Sequence, residues 1–373
     1  MRIAFSTTAL VLACSSSGSP SLAEAGASGV SGGGASTMSA AAGSAGVGGV
    51  GSSGIAGRAG AATTQGGGPA GGSGSADVGG ENSISAGAAN GGAAGSRAQA
   101  GSAGTGVAVG TPKNPVLPGY NADPQIAQFG GKFYIYPTTD GYDNWLSTQF
   151  HAFSSADLVT WKDEGVILDL GADVSWADDR AWAPGITLKG DTYYFYFAAA
   201  QQIGVATSKS PAGPFKDALG RPLVKIGQYG DQSIDPYVFT DDDGRSYLYF
   251  GSGSTAHVVE LNSDMVSFKG SPTTISVGGF REGSVAFKHN GSYYFMWSEN
   301  DTRSADYNVA YATGKSPLGP FTEAAQNPIL QKNTALGILG TGHNSVLALA
   351  NGDWYIAYHR FAIPNGDGTH REV

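Results

Sequence analysis

The chain has 373 residues, a formal net charge of −9 at neutral pH and a pI near 5.0. This acidic balance argues against nucleic-acid and anionic-membrane partners, which select a basic face, and is compatible with neutral polymers such as polysaccharides. A single cysteine excludes internal disulfides, so the fold must be held by its core. The sequence contains no phosphate-binding loop or dinucleotide fingerprint, and we expect no organic cofactor.

The first residues have the pattern of an export signal. Arg2 gives a positive start, and residues 3–13 are mostly apolar but too few to span a bilayer. Cys14 follows where a bacterial lipoprotein signal places its lipid-modified cysteine, although Leu12 is a less usual residue two positions before it. Residues 1–14 therefore predict a lipoprotein-type signal on an exported, extracellular or outer-membrane protein that meets a membrane only through its lipid anchor. The alternative is an ordinary signal peptide that happens to contain a cysteine.

Residues 15–112 predict a disordered linker. Between Ser15 and Gly110 the chain has no Phe, Trp or Tyr and consists mostly of Gly, Ala, Ser and Thr. Such a stretch cannot bury enough apolar surface to offset its ordering entropy. Residues 113–373 contain all but one of the aromatic residues and are long enough for one large domain.

Five times within residues 113–373, a hairpin-turn signal leads into an aromatic-rich strand. Gly-Gly, Gly-Asp, Asp-Gly and Asn-Gly pairs favour tight turns, and Tyr, Phe and Ile favour strands. The turns recur roughly every 50 residues, which is typical of propeller blades. The pattern predicts an all-β fold, a five-bladed β-propeller, with strands that begin after turns at residues 130–131, 190–191, 243–244, 290–291 and 351–352.

A carboxylate, an aromatic residue or a histidine stands eight positions before Gly131, Gly190, Asp243, Asn290 and Asn351, and opens the strand that precedes each turn. These residues should face the central channel of the propeller and converge there: Asp123, Trp182, Asp235, Glu282 and His343. Each has a plainer interpretation by itself, since Asp-Pro is a common turn pair, a lone tryptophan is usually in the core, a lone glutamate is usually an edge charge, and a lone histidine is usually a satisfied buried residue. The shared spacing favours a common site.

Three carboxylates around one channel suit the hydrolysis of glycosidic bonds. This reaction needs a protonated carboxyl group on one side of the sugar and an ionised one on the other. Nearby like charges split the pKa values of such groups, because ionisation of one disfavours ionisation of its neighbour.

At these residues the sequence resembles glycoside hydrolase family 43, five-bladed propeller enzymes that act on arabinose- and xylose-containing polysaccharides. The resemblance covers about residues 114–373. It rests on six phrases, which are specific only in combination: PGYNADP at 118–124, WAP at 182–184, SIDP at 233–236, FREGS at 280–284, GTGHNS at 340–345 and WYIAYHR at 354–360.

The resemblance implies a role for each residue. Asp123 would be the general base, Glu282 the general acid, and Asp235 the carboxylate that orients substrate and raises the pKa of the acid, with inversion of the anomeric carbon. His343 would lie beneath the site as a candidate calcium ligand that acts largely through water. Candidate substrate-binding residues are Arg371, Trp182 and Trp145.

The expected activity is release of α-L-arabinofuranosyl or β-xylosyl units from plant cell-wall polysaccharides such as arabinan and arabinoxylan. One alternative is a carbohydrate-binding surface propeller without catalysis, which the three intact carboxylates disfavour. Another is an adhesive or scaffold propeller, suggested only by the linker and anchor. Because family members continue past the position of Val373, we expect the last blade to be truncated at the C-terminus.

Overall fold

The computed structural model describes residues 2–6, 9–13 and 111–373. Cys14 and the predicted linker up to residue 110 lie outside the described residues. Two strands are described within the predicted export signal, Arg2–Ser6 and Ala9–Ala13. Among the described helices, none combines the length and apolar character needed to cross a membrane. Export and lipidation stay predictions.

Residues 111–373 form an all-β propeller of five antiparallel sheets, as the turn pattern predicted. Each of the first four sheets has four strands in chain order. Blade 1 consists of Asn121–Phe129, Lys132–Thr139, Gln149–Ser155 and Lys162–Asp169, and blade 2 of Trp182–Lys189, Thr192–Ala199, Gln202–Ser208 and Lys216–Asp217. Blade 3 consists of Tyr237–Thr240, Ser246–Ser252, Thr255–Glu260 and Thr273–Ile275, and blade 4 of Phe280–His289, Ser292–Glu299, Asn308–Gly314 and Phe321–Glu323.

Blade 5 is built differently. Its two long strands are Gly342–Ala348 and Trp354–Phe361. The second of these pairs with Arg2–Ser6 near its start and with Arg371–Glu372 at its end. Ala9–Ala13 pairs in turn with Arg2–Ser6. The described helices are short and lie in connections: Asp143–Trp145, Leu170–Asp173 and Thr334–Leu336.

The hydrophobic core is divided among the interfaces between neighbouring blades. Within residues 111–373, five buried clusters occupy the interfaces of blades 1 and 2, 2 and 3, 3 and 4, 4 and 5, and 5 and 1. Between blades 1 and 2, for example, Phe150 meets Phe195 edge-on with ring centroids 5.2 Å apart. Burying one such side chain contributes about 1.5–3 kcal/mol, so the repeated aromatic strands stabilise the ring of blades.

Candidate active site

The first strand of each blade is irregular where it borders the central channel. In blades 1, 2, 4 and 5, a β-bulge places two residues opposite one residue of the neighbouring strand. Bulges of this kind re-aim side chains and are common beside active sites. The first bulge residue has a positive φ in each case, and so does the matching residue of blade 3: Asp123 (49°), Ala183 (42°), Asp235 (58°), Gly283 (71°) and His343 (41°).

A non-glycine residue in this left-handed region costs about 1–3 kcal/mol, so the surrounding structure must hold each one in place. In blades 1, 2, 4 and 5, a side chain of the neighbouring blade holds the bulge residue in place. The neighbour is the preceding blade in the ring, which for blade 1 is blade 5. Each of these side chains accepts a hydrogen bond from the backbone N–H of the bulge residue: Asp123 to His359 Nδ1 (3.1 Å), Ala183 to Thr138 Oγ1 (2.7 Å), Gly283 to Asp235 Oδ2 (2.8 Å) and His343 to Ser298 Oγ (2.8 Å).

Equal spacing from the turns does not identify equivalent positions in all five blades. Trp182 and Glu282 stand one residue before the equivalent positions, which are held by Ala183 and Gly283. Blades 1, 2 and 4 have two residues between their first two strands, and blades 3 and 5 have five. Eight positions reach the equivalent residue in blade 1 only because they are counted from the second turn residue, Gly131, whereas in blades 2 and 4 they are counted from the first. A side chain at position 283 would also meet His343, because an added Cβ would lie 3.3 Å from its Cγ.

A cavity of about 250 Å³ opens at this end of the channel. All seven site residues predicted from the sequence line it, including the two that miss the equivalent positions: Asp123, Trp145, Trp182, Asp235, Glu282, His343 and Arg371. Six further residues complete the lining: Gln232, Ile234, Arg281, Asp301, Thr302 and Arg303. The structure therefore brings the predicted residues into one site.

Asp123 is buried and surrounded by groups that favour its ionised form. Its Oδ2 accepts a hydrogen bond from Thr138 Oγ1 (2.7 Å), and its Oδ1 lies 3.2 Å from both Arg371 Nη1 and His343 Nδ1. Burial alone would raise the pKa of Asp123, but the neighbouring Arg371 and His343 hold it well below its usual value. This carboxylate can therefore accept a proton from water.

Arg371 is fixed in place by a second buried carboxylate, that of Asp140. Nε and Nη2 of Arg371 donate to the two oxygens of Asp140 at 2.8 and 3.2 Å, while Nη1 also reaches Thr302 Oγ1 at 3.1 Å. Burial lowers the pKa of Arg371, but the neighbouring Asp123 and Asp140 raise it, with a net upward shift. The guanidinium is a permanent positive charge beside Asp123.

The surroundings of Asp235 and Glu282 favour their protonated forms. Burial raises the pKa of Asp235 well above its usual value, and the charges of Glu282 and Asp123 add to this effect. Burial and the charge of Asp123 also raise the pKa of Glu282, against the hydrogen bond from Tyr307 (2.9 Å) and the nearby Arg281. Both carboxyl groups therefore retain a proton to a higher pH than Asp123 does.

Among the polar residues of the site that were not identified from the sequence are Thr138, Asp140, Tyr307 and His359. Thr138 and His359 lie on the second strands of their blades, opposite Ala122 and Gly342 at the edges of the bulges. The strand register could have located these two once the bulges were known. Asp140 and Tyr307 lie just outside the strands, at positions that no repeat marks.

A narrower cavity of about 10 Å³ continues into the channel. His343, Ser284 and Asn344 are part of its lining, and burial lowers the pKa of His343. Ser284 Oγ and Asn344 Oδ1 are buried and have no hydrogen-bond partner among the described residues. No cluster of three or more His, Cys, Asp or Glu side chains suited to a metal occurs in the described part of the chain. These neutral polar groups can bond to water molecules, either alone or in the shell of a hard cation. They do not form a set of carboxylates that would bind such a cation directly.

Comparison with known proteins gives the same family as the motifs. The family model for glycosyl hydrolases family 43 matches residues 112–373. The β-D-galactofuranosidase xynD of Aspergillus niger is 42% identical over 272 residues, which cover 69% of this chain and 79% of that enzyme. An arabinoxylan arabinofuranohydrolase of Bacillus subtilis is 34% identical over 298 residues, covering 66% of this chain and 57% of that protein.

A solved structure has the same fold. It is a family 43 β-xylosidase/α-arabinofuranosidase from a compost microbial metagenome, in complex with xylotriose and in a calcium-free form, with a TM-score of 0.59 and 31% identity. The match covers 69% of this chain and 91% of that one. The five-bladed fold, the clustered carboxylates and the match over residues 112–373 lead to one conclusion: the chain belongs to glycosyl hydrolase family 43 and is a glycoside hydrolase.

Proposed function

We propose that the protein is an inverting hydrolase that removes α-L-arabinofuranosyl or β-xylosyl units from arabinoxylan or arabinan. The observation that carries this proposal is the opposition of two protonation states in one cavity. The pKa of Asp123 is lowered by its neighbours, while burial raises the pKa values of Asp235 and Glu282. This is the combination that protonation of a leaving oxygen and activation of water require.

In this mechanism Glu282 donates its proton to the glycosidic oxygen, and Asp123 takes a proton from the water that attacks the anomeric carbon. Asp235 accepts a hydrogen bond from the Gly283 N–H beside the acid, and its ionised form would raise the pKa of Glu282 by like-charge repulsion. Arg371 holds the negative charge of Asp123 in place before the reaction.

The cavity favours a single terminal sugar over a long internal stretch of polymer. Its volume of about 250 Å³ lies below the roughly 300–1,000 Å³ of pockets that hold drug-sized ligands. Trp182 and Trp145 supply aromatic surface for a sugar ring. Both indole N–H groups are already bonded to backbone oxygens, Trp182 to Trp145 O at 2.7 Å and Trp145 to Gly368 O at 2.8 Å, so the rings are held in fixed orientations.

A β-D-galactofuranosidase is the second candidate, because a relative of that name is 42% identical to this chain. β-D-Galactofuranose and α-L-arabinofuranose have the same ring configuration and differ by one hydroxymethyl group on the exocyclic carbon. An acid and base placed for one furanoside are therefore also placed for the other, and the space beyond the exocyclic carbon decides between them.

The test is a release assay on the p-nitrophenyl α-L-arabinofuranoside, β-D-xyloside and β-D-galactofuranoside, together with arabinoxylan and arabinan. We expect release of pentose from one polysaccharide, with the first-formed sugar inverted by proton NMR. Exclusive cleavage of the galactofuranoside would favour the second candidate. Retention of configuration, or turnover by Asp123→Ala near the wild-type rate, would contradict the mechanism.

We also propose that the channel holds a calcium ion, with His343 as its protein ligand and water as the rest of its shell. The unpartnered oxygens of Ser284 and Asn344 support this proposal, since they can bond to such water molecules. When bound, the ion would supply a positive charge beneath the sugar. Chelation should lower the melting temperature or the activity modestly, and addition of Ca²⁺ should restore it. A chelator that changes neither would leave His343 as a buried core histidine.

Finally, we propose that the protein is exported and anchored through Cys14. The signal-like pattern of residues 1–14 supports this, and stable attachment needs more than one acyl chain, which lipoprotein maturation provides. In a bacterial host the wild type should sediment with membranes and Cys14→Ser should not. Wild-type protein found wholly in the culture supernatant, with its N-terminal linker intact, would contradict anchoring.

A further inference from the structure

We propose that Tyr307 and His359 form a clamp that sets the position of Asp123 relative to Glu282. The two rings are stacked, with centroids 5.5 Å apart and an interplanar angle of 2°. The His359 ring contacts the backbone of the proposed base, Asp123, and the Tyr307 ring carries the hydroxyl that bonds to the proposed acid, Glu282. The proposal rests on the proposed function, since it assigns a positioning role to residues that support those two carboxyl groups.

The His359 end of the clamp acts on the backbone of Asp123. His359 is completely buried, and its Nδ1 lies 3.1 Å from both the backbone nitrogen and Oδ1 of Asp123. We assign Nδ1 as the acceptor of the Asp123 N–H, since a backbone N–H can only donate. A neutral imidazole that accepts at Nδ1 carries its proton on Nε2, and Nε2 has no hydrogen-bond partner in the described part of the chain.

The contact with His359 explains how Asp123 tolerates its backbone conformation. Asp123 has a φ of 49°, and the bulge removes its N–H from the strand ladder. A buried N–H without a partner costs about 1–3 kcal/mol, so an acceptor is needed at this point. His359 supplies that acceptor from blade 5, across the interface with blade 1.

The Tyr307 end acts on the carboxyl group of Glu282. The Tyr307 hydroxyl donates to Glu282 Oε1 at 2.9 Å, and the residue is completely buried. Its ring is confined by Gly342, where an added Cβ would lie 2.2 Å from the ring. The Tyr307 backbone N–H also donates to Ser304 O at 3.0 Å, which fixes the loop that carries it.

The clamp therefore joins three blades at the point where the chemistry needs a defined gap. Inverting glycosidases keep their two carboxyl groups roughly 6.5–9.5 Å apart to leave room for water. Two flat rings in parallel contact transmit a shift of one to the other, because close-packed interiors do not deform freely. A misplacement of about 1 Å can reduce the rate about 100-fold, so the clamp should affect turnover more than binding.

Two substitutions of His359 separate its acceptor from its ring. His359→Asn places an amide oxygen near the position of Nδ1 and loses most of the stacking surface, whereas His359→Phe keeps a flat ring and loses the acceptor. Tyr307→Phe keeps the stack and removes the hydroxyl that bonds to Glu282 and also contacts Ser298. Tyr196→Phe is the matched control, because it removes an equally buried hydroxyl, bonded to Met265 O, far from the cavity.

For each variant, kcat and KM on the polysaccharide that the wild type hydrolyses best should be measured, together with the melting temperature. We expect His359→Phe to lower kcat about 100-fold with KM within about threefold, and His359→Asn to recover most of the loss. Tyr307→Phe should lower kcat about tenfold, while Tyr196→Phe should lower only the melting temperature.

Equal kcat for His359→Phe and the wild type, at a measured KM, would overturn the clamp. So would equal losses in His359→Phe and His359→Asn that follow their melting temperatures, because the rings would then act only in packing. These outcomes differ from failure of the proposed function, in which the wild type itself would hydrolyse none of the glycosides or would retain configuration.

Discussion

Asp123 Oδ1 lies 3.2 Å from Nη1 of Arg371, although the two residues are 248 positions apart in the chain. The contact joins the first strand of blade 1 to the last described residues of blade 5. It pairs the proposed base with a permanent positive charge and ties together the two ends of the propeller ring. The ionisation of the base therefore depends on closure of the ring.

Replacing Arg371 should shift the acidic limb of the pH–activity profile. Arg371 opposes the effect of burial on Asp123, so Arg371→Gln should raise the pKa of Asp123. Because Asp123 acts in its ionised form, activity should then be lost at a higher pH than in the wild type, as seen in kcat/KM against pH. Arg371→Lys keeps the charge but loses the paired contacts with Asp140, so it should show a smaller shift and a lower maximum. An acidic limb that does not move in Arg371→Gln would contradict this assignment.

Replacing Tyr307 should shift the alkaline limb instead. The Tyr307 hydroxyl lowers the pKa of Glu282, against burial and the charge of Asp123. Asp235, Arg281 and Arg371 face the same carboxyl group and remain in Tyr307→Phe. Since Glu282 acts in its protonated form, the limb should move to higher pH in this variant, measured as kcat/KM on an unactivated substrate. An alkaline limb that moves to lower pH in Tyr307→Phe would contradict this prediction, because it would mean that Tyr307 stabilises the protonated form of Glu282.

The proposed acid and base should respond differently to the leaving group. Glu282→Ala should abolish hydrolysis of polysaccharide and retain measurable hydrolysis of p-nitrophenyl glycosides, because these leaving groups need little protonation. Asp123→Ala should lose both activities, since no other group activates water. Asp235→Asn should also be strongly impaired, because it removes a carboxylate whose ionised form would raise the pKa of the acid by like-charge repulsion. Equal residual activity of Glu282→Ala on both substrate types would contradict its role as acid.

His359 should make the fold sensitive to mild acid. Its pKa is lowered to about 4 in the folded protein, mainly by burial, whereas an exposed histidine titrates near 6.5. Between these values the unfolded chain binds a proton that the folded protein does not, so stability falls as the pH drops from about 6.5 towards 4. The loss attributable to this residue is about 3 kcal/mol.

The measurement is urea unfolding of the wild type and His359→Asn between pH 4 and 7. The free energy of unfolding of the variant should depend less steeply on pH in this window, even if the variant is less stable overall. His343 also has a lowered pKa and remains in both proteins, so it contributes equally to the two curves. Parallel curves for the two proteins would contradict the assignment to His359.

The strands, the blade count and the identity of the three carboxylates could be predicted from the sequence. These features depend on local patterns: turn residues with positive φ at Gly131, Gly190 and Gly291, and aromatic strands that must bury one face against a neighbour. Asp123, Asp235 and Glu282 were found because each opens a repeat unit. Residues at the same end of successive blades meet at one channel whatever the details of packing.

The bulges, the phase of the repeat and the partners of the carboxylates depended on the tertiary structure. Loops of two and five residues give the same turn signals, and the count of eight positions leaves Trp182 and Glu282 one position out of register. Asp140 and His359 touch Arg371 or Asp123 only after blade 5 closes against blade 1. The sequence alone therefore determined which chemical groups enter the site. Packing between blades decided which of them is ionised, because charge and burial act through distances between residues that are remote in the chain.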